Sequence, residues 1–532
     1  MSHRSRRVII AGTMAAMFLA AIDQTILSSA FPRIIAELNG LSLLPWVFTS
    51  FMLSSTVVVP IAGKLGDQFG RKPLFIVAIA IFLGGSLLAG ASQSMLQLVL
   101  ARGVQGIGGG MLFATSFAVV GDLYAPLERG RIQGAFAGMF GIASVVGPFL
   151  GGWLTDALSW RWVFFVHLPV GAVALLVVGI GMPWVRPHLE RRPRLDWAGA
   201  GLLVVALVPL LLALTWGGHD HPWTSPRIVG LFLVSALGLP LFLLAESKAA
   251  EPILPLGLFK NRTFSVAAVV LFLMGAGMFG AITMVPTFLQ GVKGVAASDS
   301  GTLMTPMSIA LSVAAGVGGM VMSKTGRYKV LSIVSVGIVA LGMALFSMQT
   351  PETSWTASIV NMVLVGFGVG VTFPIFTVVV QNALPFQYIG VATASVTFFR
   401  QIGATVGIAI LSGLMIDRFR AGVIEVAGQY PAFAQNANAL LNERAVEGVR
   451  RAYEATATPG QPSFDSLLAL TRIELADAIS LVFGLAAVLV VLAGVALLAL
   501  PELPLNATSP AELARRAREQ ATEATGVPQP GG

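Results

Sequence analysis

The 532-residue chain is 55% apolar and only 11% charged, with a mean hydropathy of +0.82. Soluble domains carry about 25% charged residues, so this composition excludes an ordinary soluble fold and points to a polytopic membrane protein. The formal charge of +8 lies mainly in short loops between apolar runs, a topology signal and not a nucleic-acid surface. With no cysteine, the chain has no disulfides, cysteine-ligated zinc, iron–sulfur clusters or thiol catalysis.

Fourteen apolar runs are long enough to cross a bilayer as helices: 8–30, 44–63, 74–92, 96–120, 131–153, 162–182, 198–216, 228–245, 264–286, 301–322, 330–348, 355–380, 390–414 and 477–499. The first lacks a small-residue cleavage pattern and is expected to stay as a helix. With the N-terminus inside, the inner segments hold twenty-one Lys and Arg, whereas the short outer loops hold only Arg33, Arg161, Arg227 and Lys293. The excess of inner positive charge predicts that both termini are cytoplasmic. Long basic inner loops suit a bacterial cytoplasmic membrane, and such a fold suffices as a monomer. The long outer segment 415–476 reads as a tolerated insertion. Within it, 436–456 forms a mixed-charge amphipathic helix, and 464–477 extends the last span outward. Residues 508–532 read as a short amphipathic helix and a disordered tail.

The first span carries Asp23 on a small, polar face with Thr13, Ala16 and Ala20. A carboxylate at that depth costs roughly 2.5–3.5 kcal/mol on insertion, which makes it a functional candidate; the alternative is packing through an arginine pair. Arg102 in span four and Asp23 each lie about seven residues from the outer ends of their spans, roughly 10 Å deep, so they are placed to pair. His167 is a second candidate titrating group, or a hydrogen-bonded packing residue. Arg400 in span thirteen sits near the midplane with no acid in spans nine to thirteen. Its partner is Asp23, a substrate anion, water or a backbone carbonyl. Gln24, Gln105, Asn361, Gln381 and Gln401 are the remaining polar candidates for a substrate cavity, and abundant Met and Phe suit an adaptable lining. One carboxylate against two arginines fits neutral, monocationic or amphiphilic anionic compounds better than dications.

Loop 63–72, with Gly63, Gly66, Asp67, Gly70, Arg71 and Lys72, recurs 256 residues later at 319–328, where Gly326 and Arg327 repeat its Gly-Arg frame. Asp67 and Arg71 are expected to form a latch with Asp122. Span five carries Gly147, Pro148, Gly151 and Gly152, a kinked helix built for close packing.

Loop 63–72 resembles the signature loop of the major facilitator superfamily. The stretch 102–110 resembles the family's second motif, whose arginine is implicated in proton transfer. Residues 141–152 are similar to the motif of its antiporter branch, with Ala143 where Gly is usual, and His167 stands where Asn is common. Asp23-Gln24-Thr25-Ile26 resembles the fourteen-helix drug:proton antiporters of EmrB/QacA type. The resemblance implies an all-α major facilitator fold: a six-helix bundle over 1–182, two inserted helices in 183–263, a second bundle over 264–507 and a cytoplasmic tail at 508–532. It further implies a proton-coupled antiporter for hydrophobic or amphipathic compounds, working by alternating access, with a proton gradient as its drive and no bound cofactor or metal. A dedicated exporter of a lipid, siderophore or native metabolite is the alternative. An integral-membrane enzyme is disfavoured because only His167 among five histidines lies in a span. No nucleotide-binding Gly-rich loop is present either.

Overall fold

The computed structural model describes residues 3–38, 43–184, 195–218, 221–295, 302–428, 430, 443–456 and 461–505. The tail 508–532, the basic loop 185–194, His219, Asp220 and the first part of the expected 436–456 helix lie outside the described residues. Among the described residues, fourteen helices are long and apolar enough to cross a membrane, one for each expected span.

In the first half these are α1 (His3–Ile26), α2 (Leu44–Phe69), α3 (Arg71–Gly90), α4 (Met95–Leu123), α5 (Pro126–Ala157) and α6 (His167–Gly181). Two more follow, α7 (Trp197–Trp216) and α8 (Pro226–Lys248). The second half holds α9 (Arg262–Ile282), α10 (Thr305–Thr325), α11 (Lys329–Phe346), α12 (Trp355–Ala383), α13 (Ile389–Ala427) and α14 (Phe464–Leu498). Several start where a short polar side chain satisfies a free amide, as the sequence dictates. Ser94 Oγ accepts from Gln97 N before α4. Asn261 Oδ1 accepts from Thr263 N and Phe264 N at the head of α9.

The repeat seen in the loops also governs the packing. In the first half α2 and α3 pack on α4, and α1 on α5; in the second α10 and α11 pack on α12, and α9 on α13. The halves meet through the pseudo-equivalent pairs α5 with α10 and α2 with α13. The fourth helix of each half, α4 and α12, is the most buried. α7 and α8 pair with each other, and α7 also touches α2 and α13.

Three elements depart from the expected boundaries. α13 has 39 residues and α14 has 35, so at 1.5 Å per residue each is roughly 50–60 Å long and outruns a 30 Å hydrocarbon core. The predicted extension of the last span from 464 is present, but α13 also continues past 414, turning the start of the outer segment into helix. The surface helix Glu443–Thr456 leans on α14 through Tyr453, whose ring lies 6.2 Å from Phe464, and through Arg450, which donates to Asp465 at 2.7 Å. Span nine does not run straight: after Ile282 the chain passes through a short turn at Val285–Thr287 into a π-helical turn at Phe288–Val292.

Candidate functional site

Four helices of the first half bring one buried polar cluster together. Asp23 on α1, Ser86 on α3, Arg102 and Gln105 on α4, and His167 at the start of α6 are all at most 1% exposed. Arg102 Nη1 donates to Asp23 Oδ2 at 2.7 Å, to Oδ1 at 2.9 Å and to Gln105 Oε1 at 2.7 Å; its Nε donates to Val47 O at 3.3 Å. The guanidinium also lies 4.4 Å from the centre of the Phe51 ring. Gln105 Nε2 donates to Asp23 Oδ1 at 2.9 Å and to Ser86 Oγ at 3.3 Å. Ser86 spends its one proton on Phe164 O at 2.9 Å, so it accepts from His167 Nδ1, also at 2.9 Å. That arrangement assigns the proton of a neutral imidazole to Nδ1. His167 Nε2 is then a buried acceptor with no partner among the described residues, while Nδ1 stands 4.0 Å from Asp23 Oδ1. Gln105, expected among the cavity residues, belongs to this cluster instead, because three residues along α4 put it on the face of Arg102.

The end of the bundle that carries loops 63–72 and 319–328, here called the basic end, holds a second cluster. Asp67 Oδ1 accepts from Arg71 Nη2 at 2.5 Å, and Arg71 Nε donates to Asp122 Oδ2 at 2.7 Å. This is the expected triad, but Asp67 also reaches the other half. It accepts from Gly390 N at 2.8 Å and Val391 N at 2.9 Å, capping the positive N-terminal end of α13. Gly70, at φ 89°, makes the turn that brings Arg71 back under Asp67, and Lys72 stacks 5.7 Å from the Trp184 ring. Lys64 pairs with Glu251 at 2.6 Å; that bond is the leading reason the Glu251 carboxyl is held below its ordinary value.

The second copy of the loop is weaker. Ser323 occupies the place of Asp67 and accepts one amide, Arg131 N of α5, at 3.2 Å. Gly326 repeats the left-handed turn at φ 67°, and Arg327 is exposed. Between the two loops the halves touch backbone to backbone: a Cβ on Gly319 would lie 2.1 Å from Gly130 O, and one on Gly134 would lie 2.4 Å from Ala315 O. Gln381 joins the same seam, donating to Phe117 O at 3.2 Å and Thr393 Oγ1 at 2.8 Å and accepting from Gln133 Nε2 at 3.2 Å. Gln381 thus takes part in the contact between halves.

The span-five motif serves a different contact. A Cβ on Gly147 would strike Thr25 Oγ1, which donates to Ala143 O at 2.8 Å, and one on Gly151 would strike Ile26 O. These residues and Pro148 lie where α5 crosses α1, so the motif knits the first half together, while Gly152 faces open space. The glycines of the inter-half seam, Gly130 and Gly134, carry no signature that sequence alone distinguishes from other small residues.

The last cluster lies in the second half. Arg400 on α13 is half-buried in a narrow cleft with Met274 and Met278 of α9 and Thr372, Phe373 and Phe376 of α12. Its guanidinium rests 4.1 Å from the centre of the Phe373 ring and makes no hydrogen bond or ion pair to any described residue. Gln401 Oε1 beside it is buried without a partner among the described residues. Asn361 is buried within α12, and Gln24 is half-buried on α1.

A duplicated bundle of membrane-length helices, joined by repeated polar contacts at one end and holding buried charges near its middle, defines a transporter. The Major Facilitator Superfamily model matches residues 13–408, and the chain belongs to that family. The chain is 42% identical to the multidrug transporter protein MdtP of Bacillus subtilis strain 168, over 78% of this chain and 76% of the relative. It is 36% identical to multidrug resistance protein 3 of the same organism, over 78% and 80%. Among solved structures it resembles the proton:xylose symporter XylE, with a TM-score of 0.58 at 12% identity, over 97% of this chain and all of that one.

Proposed function

We propose that the protein exports hydrophobic or amphipathic compounds across a bacterial cytoplasmic membrane in exchange for protons, as a monomer with both termini in the cytoplasm. The relatives named as multidrug transporters support the substrate class. The observation that carries the coupling is the Asp23 cluster: the carboxylate deep in the first half is enclosed by Arg102, Gln105 and, at 4.0 Å, His167. A proton reaching Asp23 neutralises it and releases Arg102 from its main partner, and the bare Nε2 of His167 is an adjacent place to hold that proton.

The basic end is taken as cytoplasmic, so the contacts of Asp67 with α13 hold the halves together on that side. The bundles 1–182 and 264–507 then rock around the midplane, carrying α7 and α8 with them. With Asp23 protonated the halves move freely; substrate entering from the cytoplasm or the inner leaflet favours proton release to the same side.

The test uses proteoliposomes holding a pH dye and an imposed pH gradient, given lipophilic cations, neutral drugs and amphiphilic anions in turn. Proton flux that appears only with substrate supports antiport. Substrate movement with no proton flux overturns it.

A further inference from the structure

We propose that Arg400 and the cleft around it bind the anionic head of an amphiphilic monoanion, a carboxylate or sulfonate on a flat apolar body. The proposal rests on the export reading above and narrows its substrate class. The first observation is an imbalance of charge. No Asp or Glu lies in α9 to α12, nor in α13 before Asp417, and the guanidinium of Arg400 has no polar partner among the described residues. Leaving a half-buried cation unpaired costs free energy that a protein normally avoids. Arg102, buried in the first half, contrasts with it: its guanidinium meets a carboxylate, a side-chain amide and a carbonyl.

The second observation is the lining. The guanidinium carbon lies 4.1 Å from the centre of the Phe373 ring, and its N–H groups meet no acceptor among the described residues. A carboxylate or sulfonate meets such an edge with two parallel hydrogen bonds. Met274 and Met278 of α9 and Phe376 of α12 line the cleft, which has room for about one water as it stands, so an apolar body enters by displacing these flexible, polarizable side chains. A cation entering the same cleft meets unscreened like charge, and a neutral molecule strips water from the guanidinium and returns nothing for it.

The probe pair is naphthalene-2-sulfonate and its cationic counterpart, trimethyl(2-naphthyl)ammonium, titrated calorimetrically into the purified full-length protein in a neutral maltoside detergent. No gradient is present, so the result is independent of whether the protein couples to protons. Wild type is expected to bind the sulfonate about 10-fold or more tightly than the ammonium. Arg400→Gln should erase that preference, and Arg400→Lys should keep part of it. Met274→Glu, which supplies an internal carboxylate, should weaken the sulfonate even if Arg400→Gln fails to fold. Added phosphatidylglycerol separates two sources of the same chemistry: competition assigns the cleft to lipid heads, and its absence to free amphiphiles. A wild type that prefers the ammonium, or an Arg400→Gln protein that binds the sulfonate as wild type does, overturns the proposal.

Discussion

Arg102 and Arg400 each lie within a span, one in each half, and they are treated in opposite ways. Arg102 is sealed at 1% exposure and spends its donors on Asp23, Gln105 and Val47 O. Arg400 is half-buried against an aromatic face with its hydrogen-bonding edge unspent. A closed, mutually satisfied network holds charge where removing one member is costly. An open, unsatisfied one holds charge where something must arrive. We propose on this contrast that the first half holds the proton and the second takes cargo. The same asymmetry recurs at the basic end, where Asp67 takes three donors and its counterpart Ser323 takes one.

The comparison breaks most visibly in stability. Arg102→Leu strands a buried carboxylate and should lower the unfolding free energy by about 3–5 kcal/mol, most of it recovered in the Arg102→Leu/Asp23→Asn double variant. Arg400→Leu removes a charge that no described residue satisfies and should change stability by no more than about 1 kcal/mol in either direction. Thermal unfolding in detergent measures both, and equal losses at the two sites would end the distinction.

A smaller effect is expected at the latch. Asp67→Asn keeps the side-chain shape but weakens three charge-assisted bonds, favouring separation of the halves at the basic end by about 1–3 kcal/mol. Ser323→Ala, with one amide at stake, should shift the same equilibrium by about 1 kcal/mol or less. Because the chain has no native cysteine, spin labels at Phe69→Cys and Gln387→Cys report the separation cleanly. Identical distance distributions in the two variants would mean that the two loops bear equal weight.

The smallest effect lies outside the membrane. Glu37 accepts from Arg161 and, at 2.6 Å, from Trp160 Nε1, and these bonds hold its carboxyl below its ordinary value. A depressed carboxyl adds stability that is present above its ordinary value and lost as pH falls through the folded one. Glu37→Gln should therefore lower the melting temperature slightly at neutral pH, with wild type and variant converging in acid. A difference that persists into acid would assign Glu37 a role other than charge.

The fourteen spans were legible because a bilayer imposes length and apolarity on every crossing, and the depth of Asp23 and Arg102 followed from counting residues along a helix. The triad of Asp67, Arg71 and Asp122 was legible for the same reason, since its members sit at helix ends. What Asp67 reaches was not: the amides of Gly390 and Val391 are backbone groups that no residue type announces. The partners of Gln105 and Gln381 were not legible either, because a glutamine inside a span signals polarity but not which groups it meets. The continuation of α13 past 414 was hidden by Asp417, Arg418 and Arg420, which read as loop although charged residues extend a helix readily beyond the bilayer.

Coupling through Asp23 is tested most directly by counting protons. A compound that drives flux in the proteoliposome panel is added to purified protein in weakly buffered solution, and the pH change on binding is recorded for wild type and Asp23→Asn. Antiport through this carboxylate predicts proton release in wild type and none in the variant. Release of the same amount from Asp23→Asn would contradict it and move the proton site to another group, with His167 the next to test.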